Sequence, residues 1–101
     1  MYCFVQEVPA PIEMYDRLHS EINARTAGRD LGLLLHVARE SAGGFSIIEI
    51  WSSKEACDRA IEEYLAPAMT ELFGDQLQSG PPPMTEFEPR GLLIPSAGVL
   101  I

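Results

Sequence analysis

The chain is poor in positive charge. Its 101 residues carry seven lysines and arginines against fifteen acids, giving a net charge of −8, and the bases are scattered singly. Proteins that bind nucleic acid need Lys and Arg at the phosphates, and anionic membrane surfaces also attract basic segments. The composition therefore argues against nucleic acid or a membrane surface as a partner. It favours a neutral or cationic small molecule, or another protein.

Long apolar runs and cysteine patterns are also missing. No apolar stretch approaches the roughly 18 residues of a transmembrane helix, and the N-terminus does not resemble a secretory signal. The two cysteines, Cys3 and Cys57, have no metal-ligand spacing. This predicts free, buried thiols in a cytoplasmic protein, although a disulfide between them stays open because the sequence does not give their separation.

Motifs for bound cofactors are absent as well. The two histidines and two cysteines are not arranged as metal ligands, and the only Gly-Gly pair lies where a hairpin is expected. No phosphate-binding loop or hydrolase nucleophile set appears. We therefore expect neither a metal nor another cofactor.

What the chain does contain indicates one globular domain spanning residues 1–101. Apolar residues make up 47% of it and charged residues 22%, and a second core would need roughly another 50 residues. A chain this short buries only about two thirds of its unfolded surface. Homodimerisation is therefore expected as a further source of burial.

Strand and helix signals alternate in the order βαββαβ. Alternating and helical periodicities predict four strands, at 2–8, 31–39, 45–51 and 84–94. A first helix is expected after Pro11, and a second after a capping box of Ser52 and Glu55, with a fresh turn at Pro67. A glycine-containing loop at 40–44 forms a hairpin, and a loop at 75–83 is held extended by three prolines.

This order predicts an α+β, ferredoxin-like fold with a four-stranded antiparallel sheet and both helices on one face. The second strand alternates Leu33, Leu35 and Val37 with Leu34, His36 and Ala38, so neither face reads as solvent-exposed. A second copy of the sheet would cover the face that the helices leave bare.

The strand that ends on the only tryptophan, Trp51, is the most informative segment. Residues 47–56 run from an apolar strand through Trp51 into a helix start, residues 65–69 close the second helix around a proline, and prolines lead into the last strand. Together with the βαββαβ order, these features resemble the dimeric α+β barrel superfamily, in particular the small antibiotic-biosynthesis-monooxygenase-like proteins. The resemblance covers nearly the whole chain.

The resemblance implies a homodimer with a substrate pocket in each subunit. Oxygenases of this superfamily act on phenol-type substrates of polyketide pathways without a cofactor, and a tryptophan that matches Trp51 lines their site. The asparagine associated with those sites has no counterpart in the first strand, where Gln6 is the nearest polar residue. The haem-ligating histidine of the haem-degrading members is absent from residues 53–73.

Three residues form the candidate catalytic set. His36 offers a general base with a pKa near neutrality, Glu49 would orient it, and Trp51 would be the wall on which a planar substrate stacks. A one-residue slip in hairpin register would separate His36 and Glu49 onto opposite faces. The alternatives are a histidine of the core or dimer interface, a salt bridge from Glu49 to Arg39 or Arg90, and a core tryptophan.

Four further residues are candidates for substrate contact. Tyr15, His19 and Tyr64 are expected to project from the two helices toward the sheet, and Gln6 projects from the first strand. Each could hydrogen-bond a ligand carbonyl or phenol. The alternative is a place in the core, where helical aromatics are usually found.

The leading hypothesis is a small homodimeric enzyme of secondary metabolism. It would act on an aromatic or polyketide-like substrate as a cofactor-independent monooxygenase. Two alternatives stay open: a cyclase or isomerase that uses the same pocket, and a non-catalytic ligand-binding or accessory dimer.

Overall fold

The secondary structure follows the predicted order through the second helix and departs from it at the last strand. The computed structural model describes residues 1–74 and 82–101. Its elements are β1 (Tyr2–Val8), α1 (Ile12–Thr26), β2 (Leu33–Ser41), β3 (Gly44–Trp51), α2 (Lys54–Ala60), α3 (Ala66–Phe73), β4 (Met84–Phe87), β5 (Leu93–Ile94) and β6 (Val99–Leu100). None of the helices in this described part is long and apolar enough to cross a membrane.

The main sheet has four strands in the order β2-β3-β1-β4, and every neighbouring pair is antiparallel. This is the strand order of the ferredoxin-like arrangement, so the predicted fold class is confirmed. The helices lie on the face that carries Phe4 and Trp51, because Cys57 and Ala60 of α2 form one buried cluster with these two side chains. Tyr15 of α1 reaches the same face at His36.

The β2–β3 hairpin turns within two residues, Ala42 and Gly43. Ser41 pairs with Gly44, and Gly43 has φ +81°, a left-handed conformation that glycine adopts without strain. β2 therefore lies two residues further along the chain than the predicted 31–39, β3 begins one residue earlier than predicted, and the loop expected at 40–44 is correspondingly shorter. The fifth residue pair beyond Ser41–Gly44 in this register is His36 opposite Glu49.

The start of α2 differs from the predicted capping box by one residue. The cap is Ser53, whose Oγ accepts a hydrogen bond from the Ala56 amide at 3.1 Å, and not Ser52. The Ser52 amide instead donates to the Gly32 carbonyl at 2.8 Å, which holds Ser52 in the extended chain. A serine caps the helix as predicted, but it is Ser53, and its partner at the third helical position is Ala56 and not the Glu55 of the predicted capping box.

Residues Ile61–Leu65 form a π-helical turn between α2 and α3. The Ala66 amide bonds the Ile61 carbonyl, five residues back rather than four. Pro67 follows directly; it has no N–H, and in a regular α-helix its ring would meet the carbonyl four residues earlier. The wider turn relieves that conflict, so the helix continues through the proline.

The predicted last strand is too long. β4 ends at Phe87, and β5 pairs with β6 in a separate two-stranded sheet. Pro89 and Gly91 lie between the two sheets, where the missing N–H and the flexible backbone end the ladder. Most of the loop predicted at 75–83 lies outside the described residues.

The sheet face opposite the helices carries exposed apolar side chains beside polar ones such as Arg39 and Thr85. Val37 and Phe87 are 44% and 38% exposed there, and Val5, Leu35 and Ile48 are half-buried. Their strand positions place all five on the side away from His36 and Glu49. A monomer would leave this apolar surface in water.

Candidate functional site

The hairpin brings the candidate base and its carboxylate into direct contact. His36 and Glu49 are opposite each other in the β2–β3 ladder, and His36 Nδ1 lies 2.6 Å from Glu49 Oε2. Their side chains are 22% and 17% exposed, so the pair is sheltered without being sealed from water. A carboxylate on one ring nitrogen fixes the imidazole orientation and directs its other nitrogen outward.

Trp51 contacts this pair through its N–H and not through its ring face. Nε1 donates to Glu49 Oε1 at 2.9 Å, so the two carboxylate oxygens of Glu49 bond separate partners. The indole is 5% exposed and packs against Phe4 and Cys57. The predicted stacking wall is therefore a buried side chain in this structure. Within the chain, Glu49 is paired with His36 and Trp51, and not with either arginine considered from the sequence.

The outward nitrogen of His36 meets a phenol from α1. Tyr15 Oη lies 2.7 Å from His36 Nε2, and the two rings are nearly parallel, 8° apart. Tyr15 also packs against Phe45, with the two rings tilted by 55° and their centroids 5.4 Å apart. Burial raises the pKa of Tyr15, and the nearby carboxylates of Glu49 and Asp16 raise it further, so the phenol is held in its neutral form.

The same phenol oxygen continues the chain of contacts to the surface. His19 Nδ1 lies 3.2 Å from Tyr15 Oη, and Asn23 Nδ2 lies 3.2 Å from His19 Nε2. His19 and Asn23 are exposed. Tyr15, His19 and Asn23 follow each other at four-residue spacing, which places them along one side of α1. That spacing was the available sequence signal for Asn23, which the sequence analysis missed.

Two of the predicted substrate-contact residues lie elsewhere. Tyr64 Oη accepts a hydrogen bond from Arg29 at 2.8 Å, at the far end of the helical layer. Gln6 shares the helix-facing side of the sheet, but its amide donates to the Pro82 carbonyl at 3.2 Å. The structure thus brings together five of the seven candidate residues, namely Tyr15, His19, His36, Glu49 and Trp51.

Cys57 lies beneath this group without joining it. Its thiol is 1% exposed, and burial, with a smaller contribution from the Glu49 carboxylate, raises its pKa to about 11. The thiolate is the reactive form of cysteine, so this side chain is an inert part of the core. Cys3 is also buried, and both thiols are free.

Described residues form surface pockets that do not include the candidate catalytic set. One, of about 410 Å³, lies between residues 9–13 and the β2–β3 turn. Another, of about 240 Å³, is lined by Leu31, Ala56, Ala60 and their neighbours. Leu31 packs on the Trp51 cluster, so this second pocket lies beside that cluster.

The inner side of α1 is open. None of its fifteen residues is buried, and Ile12, Leu18 and Ile22 are only half-buried although they continue the apolar stripe beside Tyr15. Among residues 1–74 and 82–101, no three His, Cys, Asp or Glu side chains are grouped to hold a metal ion.

Comparison with known proteins gives similarity at the level of structure. No protein-family model and no curated protein matches the chain. Rv0793 from Mycobacterium tuberculosis superposes with a TM-score of 0.59 at 19% identity, over 87% of this chain and 92% of that one. A proposed antibiotic biosynthesis monooxygenase from Deinococcus radiodurans gives 0.54 at 20% identity, over 92% and 93%. The resemblance seen in the sequence is therefore confirmed as one of fold: this chain has the ferredoxin-like α+β architecture of those two proteins.

Proposed function

We propose that this chain is a cytoplasmic, homodimeric enzyme that oxidises an aromatic, polyketide-like phenol without a cofactor. The observation that carries the proposal is the Glu49–His36–Tyr15 arrangement, a carboxylate-oriented imidazole with a phenol on its outward nitrogen. The similarity of fold to the Deinococcus radiodurans protein supports the choice of reaction. Two free, buried thiols fit a reducing compartment.

His36 is the proton acceptor in this proposal. Glu49 holds its Nδ1–H, so Nε2 is the basic position, and it lies against the Tyr15 hydroxyl. Removal of a phenolic proton makes the substrate electron-rich enough to reduce dioxygen. In the conversion of a ring methylene to a carbonyl, one oxygen atom enters the product and the other leaves as water, and the substrate supplies all the electrons. No further reductant is needed.

Trp51 has a positioning role in place of the stacking role expected from the sequence. Its indole N–H fixes the carboxylate of Glu49, and its ring is anchored in the core. Glu49 is thereby held in one rotamer, which in turn fixes His36. A substrate would lie against Tyr15 and the half-buried apolar residues of α1.

The homodimer in this proposal covers the bare sheet face. The apolar residues Val37 and Phe87 are exposed in the single chain, and a second copy of the same face buries them. Light scattering on the purified chain tests this directly. We expect a dimer for the wild type and a monomer for Val37→Asp, with the exposed-site variant Glu55→Gln dimeric as a control.

The enzymatic proposal is tested by oxygen uptake with a panel of reduced polycyclic phenols. We expect His36→Gln and Glu49→Gln to lose roughly 10²-fold or more in rate, the usual contribution of general base catalysis. Glu55→Gln, the same chemical change at an exposed site, should keep full activity. Oxygen uptake that is equal in all three variants refutes His36 as the base.

A second function, cyclisation or isomerisation, is favoured by one feature: an imidazole–carboxylate pair needs no oxygen to move protons. Turnover of the same panel under anaerobic conditions would identify it. If no compound is turned over while ligands still raise the melting temperature, the chain is a non-catalytic binding dimer.

A further inference from the structure

We propose that Tyr15, His19 and Asn23 form a proton path that connects the His36–Glu49 pair to solvent. Tyr15 is the residue that passes the proton, and His19 exchanges it with water. The role of this path in turnover rests on the proposed function. In it, Tyr15 and His19 transfer protons and do not bind the substrate as the sequence suggested. It also adds Asn23, which had no role.

The contacts allow one continuous direction of donation when both imidazoles are neutral. Because Glu49 can only accept, His36 carries its proton on Nδ1 and accepts at Nε2 from the Tyr15 hydroxyl. The phenol oxygen then accepts from His19 Nδ1–H, and His19 Nε2 accepts from the Asn23 amide. Every polar hydrogen along the path has an acceptor.

A proton on His36 reverses the whole path. Nε2–H then donates to the Tyr15 oxygen, the Tyr15 hydroxyl donates to His19 Nδ1, and His19 must carry its own proton on Nε2. The His36 Nε2 proton then moves to the Tyr15 oxygen, the Tyr15 hydrogen moves to His19 Nδ1, and the Nε2 proton of His19 leaves to water. His19 is again in the Nδ1–H form and the path regains its resting direction. One proton has moved from His36 to solvent: His36 is neutral again, and the charges of Tyr15 and His19 are unchanged.

Asn23 suits both directions. Its amide donates to His19 Nε2 in the resting form, and after half a turn about its last bond its oxygen accepts from Nε2–H in the reversed form. An aspartate at this position would accept only. Asn23→Asp is therefore predicted to hold His19 in the Nε2–H form permanently.

In turnover the path would receive its proton from the substrate. The substrate hydroxyl hydrogen moves to the Tyr15 oxygen while the Tyr15 hydrogen moves to His36 Nε2, which leaves a substrate anion and an imidazolium paired with Glu49. The charged groups that act on this step are Glu49 on β3 and Asp16 on α1. On α2, Cys57 stays a neutral thiol beneath them.

Nitrogen-15 NMR of the imidazole rings tests the path without any substrate. At a pH where both histidines are neutral, we expect the wild type to show both rings protonated at Nδ1. Free histidine in water prefers Nε2–H, so this result would not arise by default. In Tyr15→Phe, His36 should stay in the Nδ1–H form because Glu49 holds it, whereas His19 should revert to mainly Nε2–H.

Two further variants add a second readout at the same neutral-histidine pH. The control Glu13→Gln should keep the wild-type tautomers of both rings. Asn23→Asp should show His19 as Nε2–H. A wild-type His19 already in the Nε2–H form, or a His19 signal that Tyr15→Phe leaves unchanged, overturns the path. Tautomers as expected with no turnover of any phenol would support the path and refute the proposed function instead.

Discussion

The contacts of Glu49 predict different outcomes for two substitutions at that position. Glu49→Gln keeps one acceptor for the Trp51 N–H, and its new NH₂ group turns toward His36, which can respond by moving its own proton to Nε2. No buried group loses its partner. Glu49→Leu offers no partner at all, and the Trp51 N–H is then left unpaired in a side chain only 5% exposed.

The expected magnitudes follow from those partners. Glu49 accepts two hydrogen bonds. Bonds to a charged group contribute about 1.5–3 kcal/mol each and neutral ones about 0.5–1.5, so Glu49→Gln, which makes both neutral, should lower the free energy of unfolding by about 2–3 kcal/mol. An unpaired buried donor costs about 1–3 kcal/mol in addition to the two lost bonds, so Glu49→Leu should lower it by about 4 kcal/mol or more. In a domain of this size each kcal/mol corresponds to about 4–8 °C in Tm.

Urea unfolding followed by the fluorescence of Trp51, the only tryptophan, measures both variants with the reporter inside the network. Glu55→Gln, at an exposed position, should stay within about 0.5 kcal/mol of the wild type. If Glu49→Leu is no less stable than Glu49→Gln, the hydrogen bond from Trp51 to Glu49 does not contribute as the structure indicates.

Three further predictions concern the fold around the site. Gly44→Ala places a methyl 2.0 Å from the Val8 carbonyl oxygen and should lower the free energy of unfolding by more than about 2 kcal/mol. Gly43→Ala meets open space and should lose only the roughly 1–2 kcal/mol that a left-handed conformation costs an alanine. Equal losses in thermal unfolding would contradict this. Cys57, with its pKa raised to about 11, should react with a thiol reagent at pH 8 only after unfolding, and rapid native labelling would refute its burial. Burial and the neighbouring carboxylate of Glu86 raise the pKa of Tyr2 to about 12. The neutral phenol therefore stabilises the fold fully below pH 10, and this contribution is lost as the pH rises through 12. In an ultraviolet titration of tyrosine ionisation, Tyr2→Phe should lack the component near pH 12.

The sequence was sufficient for the fold class and for most of the two faces of the hairpin. Its alternating and helical periods predict the order of strands and helices along the chain, and place Glu49 and Trp51 on one face. Leu33 is the exception, because a register shift before Leu35 brings it opposite Trp51 and not onto the face of Leu35 and Val37. The pairing of Glu49 with His36 was not predictable, because it depends on the length of the turn. A loop at 40–44 leaves the register open, whereas the two-residue turn at Ala42–Gly43 fixes it.

Two other differences have local physical causes. The π-helical turn before Pro67 is a compromise between helix continuation and a missing N–H, and nothing in the apolar period of the second helix signals it. The contact that Trp51 makes also differs from the predicted stacking surface for a local reason. Position along a strand predicts which way a side chain points, but whether an indole presents its face or its N–H depends on a rotamer set by Phe4 and Cys57.

A final prediction separates a role in stability from a role in chemistry. Pairs of sheltered polar groups can often be replaced by apolar residues with little loss of stability, whereas removal of one partner is strongly destabilising. In Glu49→Leu the groups left unpaired belong to His36 and Trp51, so adding His36→Leu and Trp51→Phe should restore most of the lost stability, to within about 1 kcal/mol of the wild type. Far-ultraviolet circular dichroism is the appropriate measurement, because the triple variant has no tryptophan. Recovery of stability together with loss of turnover would mean that the network serves the reaction. A triple variant less stable than Glu49→Leu would mean that these polar contacts hold the hairpin together, and the catalytic interpretation of His36 would lose its structural support.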